Sequence, residues 1–192
     1  MRLEKFGSSE RGFSLAETLF AVGILATVSM GVAQLFGVAA RNNQGAKSET
    51  SATTLATKKM EQLRSLTWGF DQTGLGLPLT DTSTDLSVEP PAATGAGLNP
   101  SPPNTLSSNV AGYFDYVATD GSWTSNQDGQ PNGGAFIRRW SVSPLPTNPN
   151  NTLVLQVYVT TVVRDSRRPA GQAVRKMPGD AWLVSVRTRK AQ

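Results

Sequence analysis

Apolar residues are concentrated in one segment near the start of the chain, which covers residues 13–40. Between Arg11 and Arg41 the one ionisable side chain is that of Glu17. A helix of about 20 predominantly apolar residues is long enough to cross the hydrocarbon core of a bilayer. The pattern therefore predicts one membrane-spanning helix. The short basic-leaning segment before it is expected in the cytoplasm, and the rest of the chain on the other side.

Helical periodicity continues past this apolar segment. The sequence has no proline between Met1 and Leu77, and charged residues separate apolar ones that recur at three- and four-residue spacing. These apolar positions are Ala52, Leu55, Ala56, Met60, Leu63 and Leu66. We therefore expect one helix from about Phe13 to Leu66, whose amphipathic part, residues 41–66, lays an apolar stripe on a globular domain.

The composition changes over residues 67–112, which are rich in Gly, Pro, Ser and Thr and poor in long apolar side chains. Prolines and glycines that disfavour both helix and central strand fall at Pro90, Pro91, Gly95, Gly97, Pro100, Pro102 and Pro103. The segment is predicted to be a long loop. Whether it is a disordered surface loop or one that binds a partner stays open at this point.

Strand patterns occupy the last part of the chain, residues 113–192. The clearest alternation of apolar residues runs from Thr152 to Arg164. Further strands are predicted over Ala135 to Val142 and Ala181 to Thr188, and a weaker one over Tyr113 to Ala118. Together with the long helix, these patterns predict an α+β fold in which the helix packs on a small, mostly antiparallel sheet.

The composition narrows the chemistry that the chain can perform. It has 192 residues, a formal net charge of +4 and neither cysteine nor histidine. Zinc sites built on Cys or His, cysteine nucleophiles, histidine bases and disulfides are therefore excluded. Charged residues make up 17%, which suits an exported surface better than a cytosolic enzyme. No catalytic constellation and no phosphate-binding glycine motif is visible in the sequence, so we expect neither an enzyme nor a cofactor.

The residues at the start of the apolar segment form a recognisable motif, Arg11-Gly12-Phe13-Ser14-Leu15-Ala16-Glu17. This motif resembles the class III signal peptide of type IV pilins and type II secretion pseudopilins. The resemblance implies that residues 1–12 are a leader, that the prepilin peptidase cuts after Gly12, and that it methylates the new N-terminus at Phe13. Glu17 matches the fifth residue of the mature family members, which neutralises an N-terminal amine during packing into the filament.

The start of the apolar segment has three other interpretations. A secretory signal peptide fits poorly, because its apolar core has about 7 to 15 residues and ends at a small-residue cleavage site. A plain signal anchor does not explain Glu17, because a lone charge at membrane depth costs several kcal/mol. Ser14 and Glu17 also match a capping box at a helix start, which is compatible with the pilin interpretation before assembly.

The resemblance also implies a function and a location. It indicates a minor pilin or pseudopilin, a structural subunit for the assembly, priming or tip of a pilus or secretion pseudopilus. The expected partners are the prepilin peptidase, which acts on the chain as its substrate, and other pilins or pseudopilins through their N-terminal helices. The expected location is the bacterial inner membrane with the head domain in the periplasm, and then the filament. Tyr113, residues 134–142, Gln156-Val157 and residues 60–63 are most similar to minor pilins of the V type or I-type pseudopilins.

Three further sets of residues are weaker candidates for sites. Gly23, Thr27 and Gly31 fall at spacings of four and form a small-residue face that lets another helix approach closely, although ordinary glycine usage explains them equally well. Asp120, Asn126 and Asp128 carry oxygen ligands suited to Ca²⁺, but their spacing does not match an EF-hand, and turn residues are the favoured interpretation.

The third set is basic. Arg187, Arg189 and Lys190 belong to a C-terminal part that is rich in arginine and also contains Trp140 and Trp182. Basic residues among aromatics suit nucleic acid, so a DNA-uptake or surface-adhesion tip pilin is the alternative function. A solvated basic face is the favoured interpretation of the same residues.

Overall fold

The computed structural model describes residues 12–71, 75–129, 131–169 and 172–189. The chain divides into two compact units, Met1–Gln44 and Gly45–Gln192. One helix, α1 (Leu15–Ser65), belongs to both of them. The leader residues 1–11 and Lys190 lie outside the described residues.

The long helix has a different environment in each unit. In the first unit all of its described residues are exposed. In the second unit it buries an apolar stripe of Ala52, Leu55, Ala56, Met60 and Leu63, as the spacing predicted. The stripe also contains Lys59, which the sequence had placed among the polar positions and which is buried.

The remaining elements of the second unit are mostly strands. In chain order they are β1 (Trp68–Phe70), β2 (Pro78–Thr80), β3 (Phe114–Val117), β4 (Trp123–Ser125), β5 (Phe136–Pro144), β6 (Thr152–Thr161), α2 (Val162–Ser166) and β7 (Ala181–Thr188). Strands β1 and β2 form a two-stranded sheet. The other five form a sheet of order β4-β3-β5-β6-β7 in which every neighbouring pair is antiparallel. The α+β class with a long apolar helix and an antiparallel sheet is thus confirmed.

The core lies between the helix stripe and one face of the larger sheet. Alternate residues of β6 from Leu153 to Val159 join the helix stripe in one apolar cluster, together with Trp140 and Val142 of β5. Four other buried side chains form a second, smaller apolar cluster: Phe114, Tyr116, Ile137 and Val162. Burying apolar surface in these clusters is the main favourable contribution to folding of the unit.

The strand predicted from Thr152 to Arg164 is too long. Strand β6 ends at Thr161, whose side chain accepts a hydrogen bond from the Arg164 backbone N–H at 3.4 Å and so caps α2. A threonine cap turns the chain into a helix where alternation alone predicts more strand. As a consequence Val163, which continues the alternation of Leu153 to Val159 in the sequence, lies outside the strand and is 55% exposed.

The segment predicted as a loop, residues 67–112, contains the hairpin β1–β2 and then an irregular stretch fixed by hydrogen bonds. The Asp81 carboxylate accepts from the backbone N–H groups of Ser83 and Thr84, both at 3.0 Å. The Leu98 N–H donates to the Asp81 carbonyl at 2.8 Å. Leu86 and Leu98 are buried in the main core. Local hydrogen bonds and two apolar anchors therefore order a segment that has little apolar content.

Candidate processing and assembly site

The residues of the proposed cleavage site are accessible. Phe13 is 85% exposed, and Gly12 is exposed as well. A Cβ atom built on Gly12 would meet nothing within 4 Å. Nothing in the described fold therefore shields the peptide bond between these two residues or requires glycine there.

Ser14 and Glu17 cap the first turn of α1. The Ser14 N–H donates to Oε2 of Glu17 at 3.3 Å, and the Ala16 N–H donates to the Ser14 hydroxyl oxygen at 3.3 Å. This pair satisfies backbone N–H groups that the helix itself leaves without acceptors. The cap weighed from the sequence is therefore present in the uncleaved chain.

Glu17 has no cationic partner among the described residues, since none of their salt bridges includes it. Its negative charge lies in the first turn of the helix, where the helix dipole favours an anion by a fraction of a kcal/mol. This is less than the several kcal/mol that an unpaired charge costs inside a membrane. Inside a bilayer, this carboxylate would therefore require a cation from outside the described fold.

The rest of the first unit presents apolar side chains on all sides. Among the described residues, α1 is the one helix that is long and apolar enough to cross a membrane, and its most apolar window is not buried. A buried core helix would pass the same test of length, but this window is exposed. A signal sequence near an N-terminus can also have this length and hydropathy. Length and hydropathy therefore do not distinguish a signal sequence, an anchor and a pilin helix, and the motif at residues 11–17 is the feature that bears on this choice.

No described residue packs against the two glycines of the small-residue face of this segment. Cβ atoms built on Gly23 and Gly31 would meet nothing within 4 Å. The Thr27 hydroxyl donates to the Ile24 carbonyl at 2.8 Å, so its polar group is satisfied within the helix. The role of these three residues in helix packing stays a prediction.

The second unit holds a buried network of charges that the sequence did not predict. Nε and Nη2 of Arg138 donate to the Asp115 carboxylate at 2.7 and 2.6 Å, and Lys59 Nζ lies 2.9 Å from the same carboxylate. Lys59 also donates to the Leu86 carbonyl at 2.6 Å and lies 4.4 Å from the centre of the Trp140 ring. Burial lowers the pKa of Lys59 to about 8, and Asp115 opposes this effect.

A signal for part of this network was present in the alternation of β5. Phe136, Arg138, Trp140 and Val142 share one face by the period of two, and Asp115 is the cross-strand partner of Arg138. An arginine on an apolar face needs a buried acid. That acid was not identified from the sequence, because the strand that carries it was the weakest of the four predicted.

The predicted basic residues at the C-terminus are engaged within the chain. Arg189 donates to the carbonyls of Gly69 and Leu79 at 2.7 and 2.8 Å, and its guanidinium lies 3.4 Å from the centre of the Trp68 ring. Arg187 donates to the Leu63 carbonyl at 3.4 Å and is half-buried. Arg189 thus ties the β1–β2 hairpin to β7, and Lys190 lies outside the described residues. Contact of these residues with nucleic acid stays untested.

The calcium candidates each have a different protein partner. The Asp120 carboxylate accepts from the N–H and the hydroxyl of Ser122 at 2.9 and 2.7 Å, and Asp128 accepts from the Asn109 amide at 2.6 Å. The Asn126 amide donates to the hydroxyl of Ser87 at 3.0 Å. In the part of the chain that the structure describes, no group of three or more His, Cys, Asp or Glu is placed to hold a metal.

Comparison of the chain with models of known protein families, with curated proteins and with solved structures finds no match. The motif at residues 11–17 and the arrangement described above are therefore the features that bear on function.

Proposed function

We propose that this chain is a minor type IV pilin or pseudopilin, a structural subunit that is processed by the prepilin peptidase and inserted into a filament through α1. The observation that carries the proposal is the placement of Glu17. It is an acid at the start of an exposed apolar helix, the fifth residue after the proposed cleavage site, without a cationic partner in the described chain.

Cleavage after Gly12 would supply the missing cation. It would create an α-ammonium at Phe13, which is close enough in the sequence to pair with Glu17 of the same chain or of a neighbouring subunit. A paired acid tolerates a low dielectric where a lone acid does not. The proposal thus accounts for a residue that a plain signal anchor leaves unexplained.

The two environments of α1 also support the proposal. Its first part has apolar side chains on every side and no partner within the described residues, as a segment does that is to be buried in lipid or among other helices. Its second part buries one stripe on the sheet and so fixes the head domain to the same helix. Since Arg187 and Arg189 are engaged internally, we do not extend the proposal to nucleic acid.

The test is the intact mass and N-terminal sequence of the membrane-inserted full chain, expressed with an active or an inactivated prepilin peptidase. The expected result is loss of Met1 to Gly12 and one added methyl group on Phe13 with the active enzyme only. A Gly12→Val variant is the matched control. Its side chain meets no obstacle in the described fold, so resistance to cleavage would reflect recognition by the peptidase.

An uncut wild-type chain in the presence of the active peptidase would contradict the proposal. Glu17 would then be a helix cap on an ordinary signal anchor, and the head domain would have to carry the function. Cleavage at another position would also contradict it, because the pairing argument requires the new amine at Phe13.

A further inference from the structure

The second unit contains a pocket of about 290 Å³ whose wall is unusually rich in arginine. It lies next to α2 and is formed by residues on β6, on α2 and on the segment before β7. Its charged lining residues are Arg164, Arg167, Arg168, Arg175, Asp165 and Asp180. Four guanidiniums against two carboxylates leave an excess of two positive charges.

One of the two acids is fully occupied by the protein. Asp180 is buried and accepts hydrogen bonds from the Tyr158 hydroxyl at 2.9 Å, the Thr160 hydroxyl at 2.8 Å, the Met177 N–H at 3.0 Å and Arg164 Nη1 at 2.5 Å. This acid therefore positions the walls of the pocket and fixes one nitrogen of Arg164. The other nitrogens of that guanidinium have no partner among the described residues.

The second acid is shared between two arginines. Asp165 accepts from both terminal nitrogens of the buried Arg139 at 2.7 and 2.6 Å, and also from Nη2 of Arg168. Burial by itself would raise the pKa of Asp165, but the hydrogen bonds and charges of Arg139 and Arg168 together outweigh it and lower that pKa. One carboxylate cannot neutralise two guanidiniums, so positive charge remains on this side.

Several donors in the pocket have no acceptor. Nη1 of Arg168 is buried and has no hydrogen-bond partner. The guanidiniums of Arg167 and Arg175 have no ion pair or hydrogen bond with any described residue and are in exposed residues. A buried donor without an acceptor is unfavourable, and an anion bound in the pocket would supply acceptors to these guanidiniums.

We propose that this pocket binds a phosphate monoester group, with Arg167, Arg168 and Arg175 as its main ligands. A carboxylate has two oxygens and is saturated by one or two bidentate arginines. A phosphate monoester offers three terminal oxygens and close to two negative charges, which suit a pocket lined by several guanidiniums. The volume is at the lower end of the range for small-molecule sites, so it admits the phosphate and a small attached group. The proposal is independent of the filament function.

The test uses the full chain in micelles of a neutral detergent and follows binding of inorganic phosphate and of glycerol 3-phosphate by phosphorus NMR, with acetate as the competing carboxylate. Saturable binding at one site per chain is expected, and acetate should displace phosphate poorly. Arg167→Gln and Arg175→Gln should each weaken binding about tenfold, because each removes a charged hydrogen bond. Both variants should keep the wild-type unfolding temperature, since these side chains have no described partner.

Arg64→Gln is the matched control, because Arg64 is an exposed arginine in the last turn of α1, outside the pocket. It removes the same charge and should leave phosphate affinity within about twofold of wild type, as expected for a weak long-range effect. An equal loss in this control would overturn the proposal in favour of general electrostatic attraction. Absence of saturable binding, or equally strong binding of acetate, would also overturn it.

A second arm distinguishes the two sources of a phosphate monoester. The chain is placed in nanodiscs of phosphatidylcholine with or without phosphatidic acid, and binding of inorganic phosphate is measured again. Competition by phosphatidic acid that is lost in Arg167→Gln identifies a lipid headgroup as the source. Unchanged phosphate binding in both discs identifies a soluble phosphate compound.

Discussion

A cluster of three charged residues is buried in the core of the second unit: Lys59, Asp115 and Arg138. All three are buried, with side chains at most 1% exposed. A buried ion pair contributes little relative to a well-packed apolar substitute, but removal of one partner leaves an uncompensated charge. Here Asp115 contacts both cations, and the other nearby carboxylate, Glu89, lies farther away, at 3.8 Å from Arg138 Nη2. The consequences of losing Asp115 should therefore be severe.

Replacement of Asp115 by alanine should therefore destabilise the second unit by about 3–5 kcal/mol, the usual cost of breaking a buried pair from one side. All four tryptophans of the chain, Trp68, Trp123, Trp140 and Trp182, lie in this unit. Urea unfolding of the full chain in detergent can thus be followed by tryptophan fluorescence without a signal from the first unit.

Glu61→Ala serves as the control for that measurement. Glu61 is an exposed acid on the same helix as Lys59 and has no described partner, so its loss should change the unfolding free energy by less than about 0.5 kcal/mol. If Asp115→Ala were as mild as this control, the network would not be buried and paired as described.

The shifted pKa of Lys59 predicts how stability depends on pH. Burial lowers this pKa to about 8 from an ordinary value of 10.5. Between those two values the unfolded chain holds a proton that the folded chain has released, so the unfolding free energy rises with pH. The full rise is on the order of 3 kcal/mol. Burial, helped by the negative charge of Asp180, raises the pKa of Tyr158 to about 12. Above about pH 10 the unfolded chain releases a proton that Tyr158 keeps in the folded chain, so the unfolding free energy falls again. The rise caused by Lys59 is therefore best measured between about pH 7.5 and about 10.

A Lys59→Met variant should lack this rise in stability, whereas Lys47→Met, at an exposed position of the same helix, should keep it. The measurement is the urea midpoint at several pH values across the window. Parallel curves for wild type and Lys59→Met would show that another group is responsible for the pH dependence.

At the scale of elements, the regular parts of the fold could be predicted from periodicity and the irregular parts could not. The helix stripe from Ala52 to Leu63 follows from spacing alone, because it buries one face of a regular element. The bounds of β7 were also predicted from alternation, but its apolar residues Val184 and Val186 are each 60% exposed. Helix α2 depends on a single cap at Thr161, and strand β4 has only three residues. Features this short carry no period to detect.

The order of the segment after β2 could not be predicted for a different reason. It depends on contacts between residues far apart in the sequence, such as the hydrogen bond from Ser101 N–H to the Val142 carbonyl at 2.8 Å. The Asp115–Arg138 pair at the centre of the candidate network is of the same kind. Such non-local contacts cannot be located from local composition, although Arg138 on the apolar face of β5 gave a partial signal for its pair.

Close backbone contacts in that segment give a test of its order. Gly97 has a φ of +53°, and a Cβ atom there would lie 2.6 Å from the Asp81 carbonyl oxygen. A Gly97→Ala variant combines left-handed strain with a backbone clash and should lose at least about 1 kcal/mol of stability. Gly69→Ala, where a Cβ meets nothing within 4 Å, should change it little. Equal stability of the two variants, in the same urea assay, would mean that the segment is not fixed as described.

At the scale of the whole molecule, α1 contributes to two different tasks that place different demands on its sequence. Its last part must match one sheet, which requires a stripe of apolar residues on one side. Its first part has no described partner and is apolar on all sides. Glu17 is the one ionisable residue between Arg11 and Arg41. Its substitution can therefore distinguish a role in capping the helix from a role in assembly.

Glutamine at position 17 separates these two roles. Glutamine can replace glutamate in a capping box, because its side-chain oxygen accepts the same hydrogen bond from the Ser14 N–H. It cannot pair with an ammonium. If Glu17 acts through its charge after cleavage, Glu17→Gln should be processed normally but should assemble poorly, whereas Ser14→Ala, which weakens the cap and keeps the charge, should assemble well.

The chain contains no cysteine, so one introduced by a Val28→Cys substitution reports contact between helices without background from the chain itself. Two differently tagged copies that both carry Val28→Cys are expressed together with the prepilin peptidase. We expect a disulfide-linked dimer when position 17 and position 14 are unchanged and when Ser14→Ala is added, but much less dimer when Glu17→Gln is added. Without active peptidase no α-ammonium forms at Phe13, so the three versions should then behave alike. An equal loss of dimer in Glu17→Gln with and without cleavage would assign the effect to membrane insertion. Equal dimer yields in all three versions after cleavage would show that the charge of Glu17 has no part in assembly.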